Sequence, residues 1–347
     1  MCPPQHAIST LHAQNADYNN EIWFGSVALV AFPKERKKVV QAKPGTSVDS
    51  PRRNKTAITA AHVAEDERRG APELYAMNGG DLTGSLTCVK TGDMLQKDTV
   101  WATIREEVQR DYQSEPLLSG FMFSTVLAHD TIEESLAFIL AKKLENAVLP
   151  APKLAQLFQE TLKRDEVSED FVADLVATYD RDPACRRYSS CFLYYKGFHA
   201  IQTHRVAHAL YNQGRTSLAL FLQSRSSEAF HVDIHPAATI GRGMMLDHAT
   251  GVVIGETAVV GENCSMLHSV TLGGSGKVSG DRHPKIGKGV LIGAGAVVLG
   301  NVRVGDNSKI GSGAVVLKDV PVKHVAVGMP ARMFPLRRIK KRIQSKL

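Results

Sequence analysis

Small or apolar residues recur every six positions between Val232 and Pro330. They form two series in different phases: Ile234, Ile240, Leu246, Val252, Ala258, Cys264 and Val270, then Ile286, Ile292, Val298, Val304, Ile310, Val316 and Val322. A period of six fits neither a helix nor a plain alternating strand. It is typical of hexapeptide repeats that build a parallel β-helix. Each hexad is expected to form one short strand and one corner, so three hexads close a coil of about 18 residues.

Upstream of the repeats, apolar positions follow helical spacing. The run 101–115 predicts one helix, Pro116 opens a second over 116–129, and Thr131 with Glu134 forms a capping box for a third. Further helices are predicted near 151–164, 168–180, 195–212 and 216–229. The predicted fold class is therefore α+β. It comprises an all-helical part over 101–230, a parallel β-helix over 231–331 and a basic C-terminal tail over 332–347.

Residues 1–100 form an N-terminal extension to which we assign no function. The segment 34–55 is basic, polar and rich in turn-forming residues, which predicts a partly disordered linker. A short helix is predicted over 56–68.

Composition narrows the class of protein. The chain is 43% hydrophobic and 22% charged, without an apolar run long enough to span a membrane and without the features of a secretory signal. Five cysteines without a CxxC motif fit a reducing compartment. There are 42 Lys and Arg against 35 Asp and Glu, and the whole excess lies within 332–347. This balance argues against a general nucleic-acid-binding face.

Polar residues interrupt the repeats in two places, and the first lies on the opening coils. Asp233, His235, Asp247 and His248 fall within 16 positions. An isolated Asp/His pair would be explained by hydrogen bonds to the backbone at a corner, but four such residues favour a functional site. Asp233 and His248 are 15 residues apart, which places them on adjoining coils near one edge. A carboxylate that orients a histidine makes it a good general base near neutral pH.

The second interruption is the segment TLGGSGKVSGDRHPK, residues 271–285, which leaves the coil as a loop. Loops that stand off a rigid solenoid usually carry function. This one contains residues suited to anion binding or proton transfer: Lys277, Asp281, Arg282, His283 and Lys285. Its GGSGK run is not a phosphate-binding P-loop, because Val278 replaces the required Ser or Thr.

No metal or tightly bound cofactor is expected. His204 and His208 share a helical face, but no third ligand accompanies them, so they are interpreted as surface or packing residues. A metal-dependent hydratase of the β-helix type would need a trio such as His248, His268 and His283. Their spacings do not stack on a coil of three hexads.

Four motifs together resemble the serine O-acetyltransferases, a hexapeptide-repeat family that makes O-acetylserine for cysteine synthesis. They are RDPACRRYSSCFLYYKGFHAIQTHRVAHALYNQGR, FHVDIHPAATIGRGMMLDHATGVVIGETAVVG, SVTLGGSGKVSGDRHPKIGKGVLIGAGAVVLGN and VGMPAR. The resemblance covers about two thirds of the chain, from Trp101 to Phe334. It implies a left-handed β-helix and acetyl-CoA as co-substrate.

The resemblance also implies roles for individual residues. His248 would be the general base, with Asp233 as its orienting partner. Asp182 and Asp247 would receive the serine ammonium, and Arg282 with His283 would hold its carboxylate. The acetyl-CoA residues would be Gly273, Gly274, Ser275 and Ala294, with backbone N–H groups near the two glycines binding the oxyanion.

Assembly and regulation follow from the same resemblance. A homotrimer or a dimer of trimers is expected, together with inhibition by free cysteine in the serine site. Family members that dock into cysteine synthase use a tail ending in Ile, whereas this chain ends in Leu347, which weakens that partnership. The terminal Ser345-Lys346-Leu347 matches a peroxisomal address, so a cytoplasmic and a peroxisome-like location both stay open.

Two other functions also stay open at this point. The alternatives to serine acetylation are a hexapeptide acyltransferase with a different acceptor and a non-catalytic β-helix scaffold, because the fold alone does not decide function.

Overall fold

The computed structural model describes residues 90–276 and 279–336. Several predicted features lie outside these ranges: the linker at 34–55, the helix at 56–68, Lys277 in the loop, and the terminal Ser345-Lys346-Leu347. Among the described helices, none has the length and apolar character needed to cross a bilayer.

Eight α-helices precede the β-helix in the described part of the chain. They are α1 (Lys90–Ser114), α2 (Ser119–Met122), α3 (Ile132–Leu144), α4 (Ala151–Leu162), α5 (Asp165–Arg181), α6 (Tyr188–Tyr194), α7 (Lys196–Asn212) and α8 (Thr216–Phe230). The first begins before residue 101, and α6 was not predicted. Thr131 Oγ1 accepts a hydrogen bond from Glu134 N at 3.3 Å, so the predicted cap of α3 is present.

The helix predicted over 116–129 is wrong in form. The structure has a 3₁₀ turn at Pro116–Leu118, the short helix α2, and a π-helical turn at Phe123–Leu127. Side-chain hydroxyls bind nearby carbonyls in this segment, as in Ser119 Oγ to Pro116 O at 2.8 Å. Such bonds compete with regular helix formation and favour irregular turns.

Within the described ranges, fourteen parallel strands and one antiparallel strand form the three faces of the β-helix. Face A is β1-β4-β7-β10-β13, face B is β2-β5-β8-β11, and face C is β3-β6-β9-β12-β14-β15. The strands are β1 (Val232–Ile234), β2 (Thr239–Ile240), β3 (Met245–Leu246), β4 (Val252–Ile254), β5 (Val259–Val260), β6 (Ser265–Met266), β7 (Thr271–Gly273), β8 (Lys285–Ile286), β9 (Leu291–Ile292), β10 (Val297–Leu299), β11 (Arg303–Val304), β12 (Lys309–Ile310), β13 (Val315–Val316), β14 (His324–Val327) and β15 (Arg332–Pro335). The predicted fold class is confirmed; the handedness of the coil stays a prediction.

The coils differ in length. Val297 pairs with Val315 exactly three hexads further along the chain, which is the spacing that the repeat predicts. In contrast, Val232 pairs with Val252, and Thr271 pairs with Val297, so both of these coils are longer than three hexads. The second of the two long coils contains the predicted loop. The first contains a two-residue expansion between β3 and β4 that the repeat pattern did not reveal.

The expansion was hidden because each strand of this region turns two rows of side chains inward. Val252 and Ile254 are both buried, and Ile254, not Val252, stacks on Ile234. Steps of six residues from Ile234 therefore reach Val252, which belongs to the row of Val232 and not to the row of Ile234. Because both rows are apolar, the series shows no break at this point. All the repeat positions are buried except Val322, which is 55% exposed.

The β-helix extends beyond residue 331. Arg332–Pro335 forms β15, which pairs antiparallel with β14 through Val325 and Phe334 among others. The predicted tail at 332–347 thus begins with four residues that belong to face C, and residues from 337 onward lie outside the described ranges. Alternation of exposed and half-buried residues along β15 is the ordinary pattern of an edge strand.

A buried ion pair joins the helices to the first coil. Arg205 on α7 donates from Nε and Nη2 to both carboxylate oxygens of Asp174 on α5, at 2.7 and 2.8 Å. The same guanidinium reaches Gly241 O at 3.1 Å, and Asp174 accepts from Met244 N at 2.7 Å. Both side chains are almost fully buried. The helices and coils therefore share polar contacts at the place where the β-helix begins, as well as a continuous apolar core.

Replacing Asp174 by Ala should strongly destabilise the protein. The change removes the main counter-charge of a buried guanidinium and leaves Met244 N unpaired, and breaking a buried pair of this kind costs about 3–5 kcal/mol. Urea unfolding followed by circular dichroism measures the effect. The control is Lys142→Ala, which removes an exposed ion pair and should leave the midpoint nearly unchanged. Equal midpoints for the two variants would contradict the assignment.

Candidate active site

The two-residue expansion forms the corner where the chain passes from face C to face A, here called the C–A corner. His248 and Ala249 both have left-handed backbone angles there, with φ of 58° and 59°. Thr250 N to His248 O at 2.7 Å and Gly251 N to His231 O at 2.8 Å hold the turn. Left-handed backbone at non-glycine residues costs about 1 kcal/mol or more each and clusters at functional sites. The turn places the His248 ring on the surface, with 72% of its side chain exposed.

The Asp247 carboxylate lies beside this histidine, and the charge of Asp182 acts on the same carboxylate. Asp247 Oδ1 is 3.6 Å from His248 Nε2, and the His268 ring of the next coil meets the His248 ring edge-on at 5.8 Å between centroids. The pKa of the Asp247 carboxyl is raised, mainly by burial and also by the charge of Asp182. His248 and His268 lower it, but by less. Two neighbouring carboxylates suit a small cation such as an ammonium group.

The predicted orienting partner of His248 is not in direct contact with it. Asp233 stands on face A, where its Oδ1 accepts a hydrogen bond from Gln223 Nε2 at 2.7 Å. Within one copy of the described chain, the carboxylate nearest the His248 ring is that of Asp247. The orienting role of Asp233 stays a prediction.

Asp182 is brought to the C–A corner by the C-terminus of α5, and its neighbour Arg181 fixes that end. The Arg181 guanidinium donates to five acceptors of the first two coils. They are Gly243 O, Asn263 O, Asn263 Oδ1, Cys264 O and Ser265 Oγ, all at 2.9–3.2 Å. Burial lowers the pKa of this guanidinium. Sequence reasoning missed Arg181, because nothing in its spacing shows that it contacts the β-helix.

The start of α7 supports the same corner from the other side. Gly197 lies so close to β3 that a Cβ there would come within 2.1 Å of Leu246 O, which only glycine allows. Lys196 donates from Nζ to the Thr250 hydroxyl, two residues after His248. The sequence pattern did not single out Lys196 either.

A second polar cluster lies at the next corner, where the chain passes from face A to face B; we call it the A–B corner. The Arg282 guanidinium donates to Glu256 Oε2 at 2.7 Å and to Gly280 O at 3.1 Å. Thr257 organises the loop, since its hydroxyl accepts from the backbone N–H groups of Arg282 and His283. Glu256 and Thr257 are contacts that sequence reasoning missed.

His283 is buried and held in one tautomer. Thr257 N donates to its Nδ1 at 3.2 Å, which leaves Nε2 to carry the ring proton. Burial lowers the pKa of the imidazole and the charge of Arg282 lowers it further, so the ring is neutral. Gly255 makes room for it, because a Cβ there would lie 2.0 Å from Nε2. The Nε2–H is therefore a fixed, neutral hydrogen-bond donor.

The other predicted polar residues of this corner have structural contacts. Lys285 donates to Thr257 O at 2.7 Å and pairs with Asp281, which lowers the pKa of the Asp281 carboxyl. His235 lies on the coil above, where its Nδ1 accepts from Ala237 N at 3.1 Å. These contacts hold the loop and the corner in place.

The predicted acetyl-CoA residues divide between the two corners. Gly273 ends β7, and Gly274 and Ser275 follow it at the A–B corner; Gly274 lies beside the Arg282 side chain and the His283 ring. Ala294 lies between β9 and β10, at the C–A corner of a later coil.

The described residues contain no group of three or more His, Cys, Asp or Glu arranged to hold a metal ion. The trio considered for a hydratase is divided within one copy, since His248 and His268 lie at the C–A corner and His283 at the A–B corner. His208 uses both ring nitrogens in contacts with Pro236 O and Asn212.

Comparison with known proteins matches both parts of the chain. Residues 100–203 match the family model "Serine acetyltransferase, N-terminal", and residues 283–318 match "Bacterial transferase hexapeptide (six repeats)". Serine acetyltransferase 2 of Arabidopsis thaliana is 52% identical over 240 residues, 69% of this chain and 74% of that protein. A probable serine acetyltransferase 1 of Oryza sativa subsp. japonica is 58% identical over 68% of this chain and 78% of its own length. The chain belongs to the serine acetyltransferase family.

Solved structures of the family match the same region. Soybean serine acetyltransferase complexed with serine has a TM-score of 0.68 and 55% identity, and covers 69% of this chain and 99% of its own. The Brucella abortus serine acetyltransferase in complex with coenzyme A has a TM-score of 0.68 and 52% identity, and covers 70% and 97%. The predicted family and its acyltransferase class are confirmed.

Replacing Arg181 by Met should raise the KM for serine by about tenfold, because the helix end that carries Asp182 loses its anchor to the coils and a charge-assisted contact weakens. The KM for acetyl-CoA should stay within about twofold, and Arg181→Lys should restore part of the serine affinity. Steady-state kinetics with each substrate varied in turn measure both constants.

The matched control for this variant is Arg186→Met, a change at an exposed arginine in the loop that follows α5. A purely structural role of Arg181 would reduce the active fraction and lower kcat with both KM values unchanged. That outcome would contradict the positioning role.

Proposed function

We propose that the protein transfers the acetyl group of acetyl-CoA to the hydroxyl of L-serine, which gives O-acetyl-L-serine and CoA, the first step of cysteine synthesis from serine. The observation that carries the proposal is the identity of 50–58% to serine acetyltransferases across both the helices and the coils. Solved structures of relatives hold serine or coenzyme A.

The two corners carry charges that complement serine. The Asp182 and Asp247 carboxylates would receive the ammonium group. The Arg282 guanidinium would receive the carboxylate, since contacts with Glu256 and Gly280 leave it further N–H donors. The His283 Nε2–H would donate a neutral hydrogen bond to the same carboxylate. Free cysteine offers the same ammonium and carboxylate, so it would compete for this site.

His248 acts as the general base in this proposal. An imidazole nitrogen removes the proton from the serine hydroxyl as the oxygen attacks the thioester carbonyl carbon. The tetrahedral intermediate then collapses, the carbon–sulfur bond breaks, and the imidazolium returns the proton to the CoA thiolate. Asp233 would orient the ring and stabilise its protonated form once the assembled site brings the two together.

Backbone N–H groups near Gly273 and Gly274 would face the oxyanion of the intermediate, because they adjoin the serine carboxylate residues at the A–B corner. Ser275 and Ala294 would line the pantetheine arm. These acetyl-CoA positions show the same division between corners as the serine positions.

This division supports a site shared between two copies in a homotrimer. The C–A and A–B corners lie at opposite edges of face A, whose three-residue strands span about 10 Å. The ammonium and the carboxylate of serine are attached to one carbon, so a single copy cannot bind both with these residues. A threefold arrangement would place the C–A corner of one copy against the A–B corner of the next.

The helical part offers a surface for pairing two trimers. Leu117, Leu118, Phe121 and Phe123 are exposed side by side in the segment between α1 and α3, with Leu117 at 90% and Phe123 at 53%. Contiguous exposed apolar residues usually mark an interaction site. A dimer of trimers is therefore part of the proposal.

Replacing His248 by Ala should lower kcat for serine acetylation by at least about a hundredfold, since general base catalysis contributes that much or more. CoA release with serine, homoserine and other hydroxyl acceptors is the measurement, and His324→Asn on face C is the matched control. Release that does not depend on serine would overturn the proposed activity. Full turnover by the His248 variant would overturn the assignment of the base.

Co-expression of two inactive variants tests the shared site. His248→Ala damages only the C–A corner, and Arg282→Ala damages only the A–B corner. Mixed trimers should regain about a third of the wild-type activity, because one of the three interfaces in each mixed trimer joins two intact corners. Separately tagged chains purified together provide the mixed species. Activity no higher than that of the single variants in proven mixed trimers would exclude the shared site.

A further inference from the structure

A cleft between three of the helices is lined mainly by cations, and the proposed reaction uses none of its residues. Its volume is about 430 Å³, and it opens to solvent. A volume of this size is in the range of small-molecule binding sites. The lining comes from the last turn of α3, the first residue of α7 and the second half of α8: Lys143, Lys196, Arg225, Glu228, Ala229 and Phe230. Three cations therefore surround the cleft against a single carboxylate.

Arg225 is fixed in the wall of the cleft by the end of α3. Its Nε donates to Leu144 O at 3.0 Å, and its Nη2 donates to Glu145 O at 3.2 Å. Its Nη1 pairs with Glu228. A guanidinium has five N–H donors, so two of them stay available to a ligand. The arginine side chain is 16% exposed and that of Glu228 is 62% exposed, so an incoming anion can displace the carboxylate while the guanidinium stays in place.

The Lys143 ammonium has no hydrogen-bond or ion-pair partner among the residues that the structure describes. Its side chain as a whole is exposed, but nearby protein atoms exclude enough water from the ammonium to lower its pKa. Burial, and then the charge of Lys143, lowers the pKa of the His199 imidazole to about 3, so this neighbour is neutral. A partly desolvated cation without a counter-charge is stabilised when an anion binds beside it.

Lys196 joins the cleft to the C–A corner. It is the first residue of the 17-residue helix α7, and its Nζ donates to the Thr250 hydroxyl. An ammonium has three N–H donors, so two of them are not used by this contact. The start of a helix also carries a partial positive charge, which adds to that of the side chain. The potential of the cleft therefore favours a ligand with more than one negative charge.

We propose that this cleft is a binding site for a compact divalent oxyanion, either sulfate or a phosphate group. Each of the three cations has N–H donors that the described chain does not use, and such donors form strong, charge-assisted bonds to the oxygens of these anions. Two negative charges balance the excess of cations over the one carboxylate. The site is separate from the residues proposed for serine and acetyl-CoA, and its contact with Thr250 places it next to the turn that holds His248.

Equilibrium dialysis of the full chain against radiolabelled sulfate or inorganic phosphate tests the proposal, with sodium chloride keeping the ionic strength constant. One ion should bind per chain, and the label that binds more tightly identifies the oxyanion. Lys143→Met should weaken binding about tenfold, because a charge-assisted contact is lost. The matched control is Lys142→Met, which changes a neighbouring lysine that pairs with Glu145 and does not line the cleft. This control should change the affinity by less than about twofold.

A second variant should act in the opposite direction. Glu228→Gln removes the carboxylate of the cleft and frees the Arg225 donor that it occupies. Binding should tighten about fivefold, since the anion no longer faces a negative charge. Misfolding cannot produce a gain in affinity, so this variant keeps the test valid if a loss in another variant has a structural cause.

Three outcomes would overturn the proposal. The first is the absence of saturable binding by either anion. The second is an equal loss of affinity in Lys142→Met and Lys143→Met, which would indicate a diffuse surface charge and not a site. The third concerns CoA, which also carries phosphate groups: saturating CoA should leave the labelled ion bound. Displacement by CoA would assign the cleft to the co-substrate and exclude a separate site. Dialysis requires no turnover, so these results do not depend on the proposed acetyl transfer.

Discussion

Each coil of the β-helix has to stack its inward-facing side chains on those of the coil before it, and this constraint fixes where chemistry can occur. A coil of three hexads satisfies it with three strands and three corners. Any additional residues have to leave at a corner, since an extra residue within a strand would turn its apolar side chains outward. The described coils contain two such departures, at 247–251 and 274–284, and they carry His248 and His283. The rigid stack holds both in fixed positions.

The helices hold side chains against the first coils of the β-helix and so add to the candidate site. Three cations reach from the described helices to the first coils: Arg205 and Arg181 bind backbone carbonyls next to the strands, and Lys196 binds the Thr250 hydroxyl. Each contact fixes a helix against a particular part of a coil. Asp182 consequently follows α5 in the sequence but lies at the C–A corner in the structure. In the proposed serine site, the helical part therefore contributes a carboxylate for the ammonium group as well as stability.

Much of this could be predicted from the sequence, because the repeat and the motifs report it directly. The hexads indicated the β-helix, and the loop at 271–285 was visible as a break in phase. The expansion at 247–251 was not visible, since both inward rows are apolar and the count passed from Leu246 to Val252 without interruption. The sequence also did not predict that Arg282 and His248 lie at different corners, because this depends on which face each strand joins. Arg181 gave no signal at all; its acceptors are mostly backbone carbonyls, which have no sequence signature.

In the proposed trimer, the separation of the corners gives the assembly a chemical role. Face A is a flat wall of stacked strands, so no rotamer change within one copy can bring the A–B corner to the C–A corner. The residues suited to an ammonium lie at one edge and those suited to a carboxylate lie at the other. An amino acid needs both within the span of a single carbon atom. A solenoid can bring opposite corners together only by placing a second copy beside the first, so in the proposed trimer the repeat which gives the wall its rigidity would also make the site depend on a neighbour. Under that proposal, acceptor specificity is a property of the interface: it would arise from the fixed distance between two carboxylates of one copy and an arginine–histidine pair of the next.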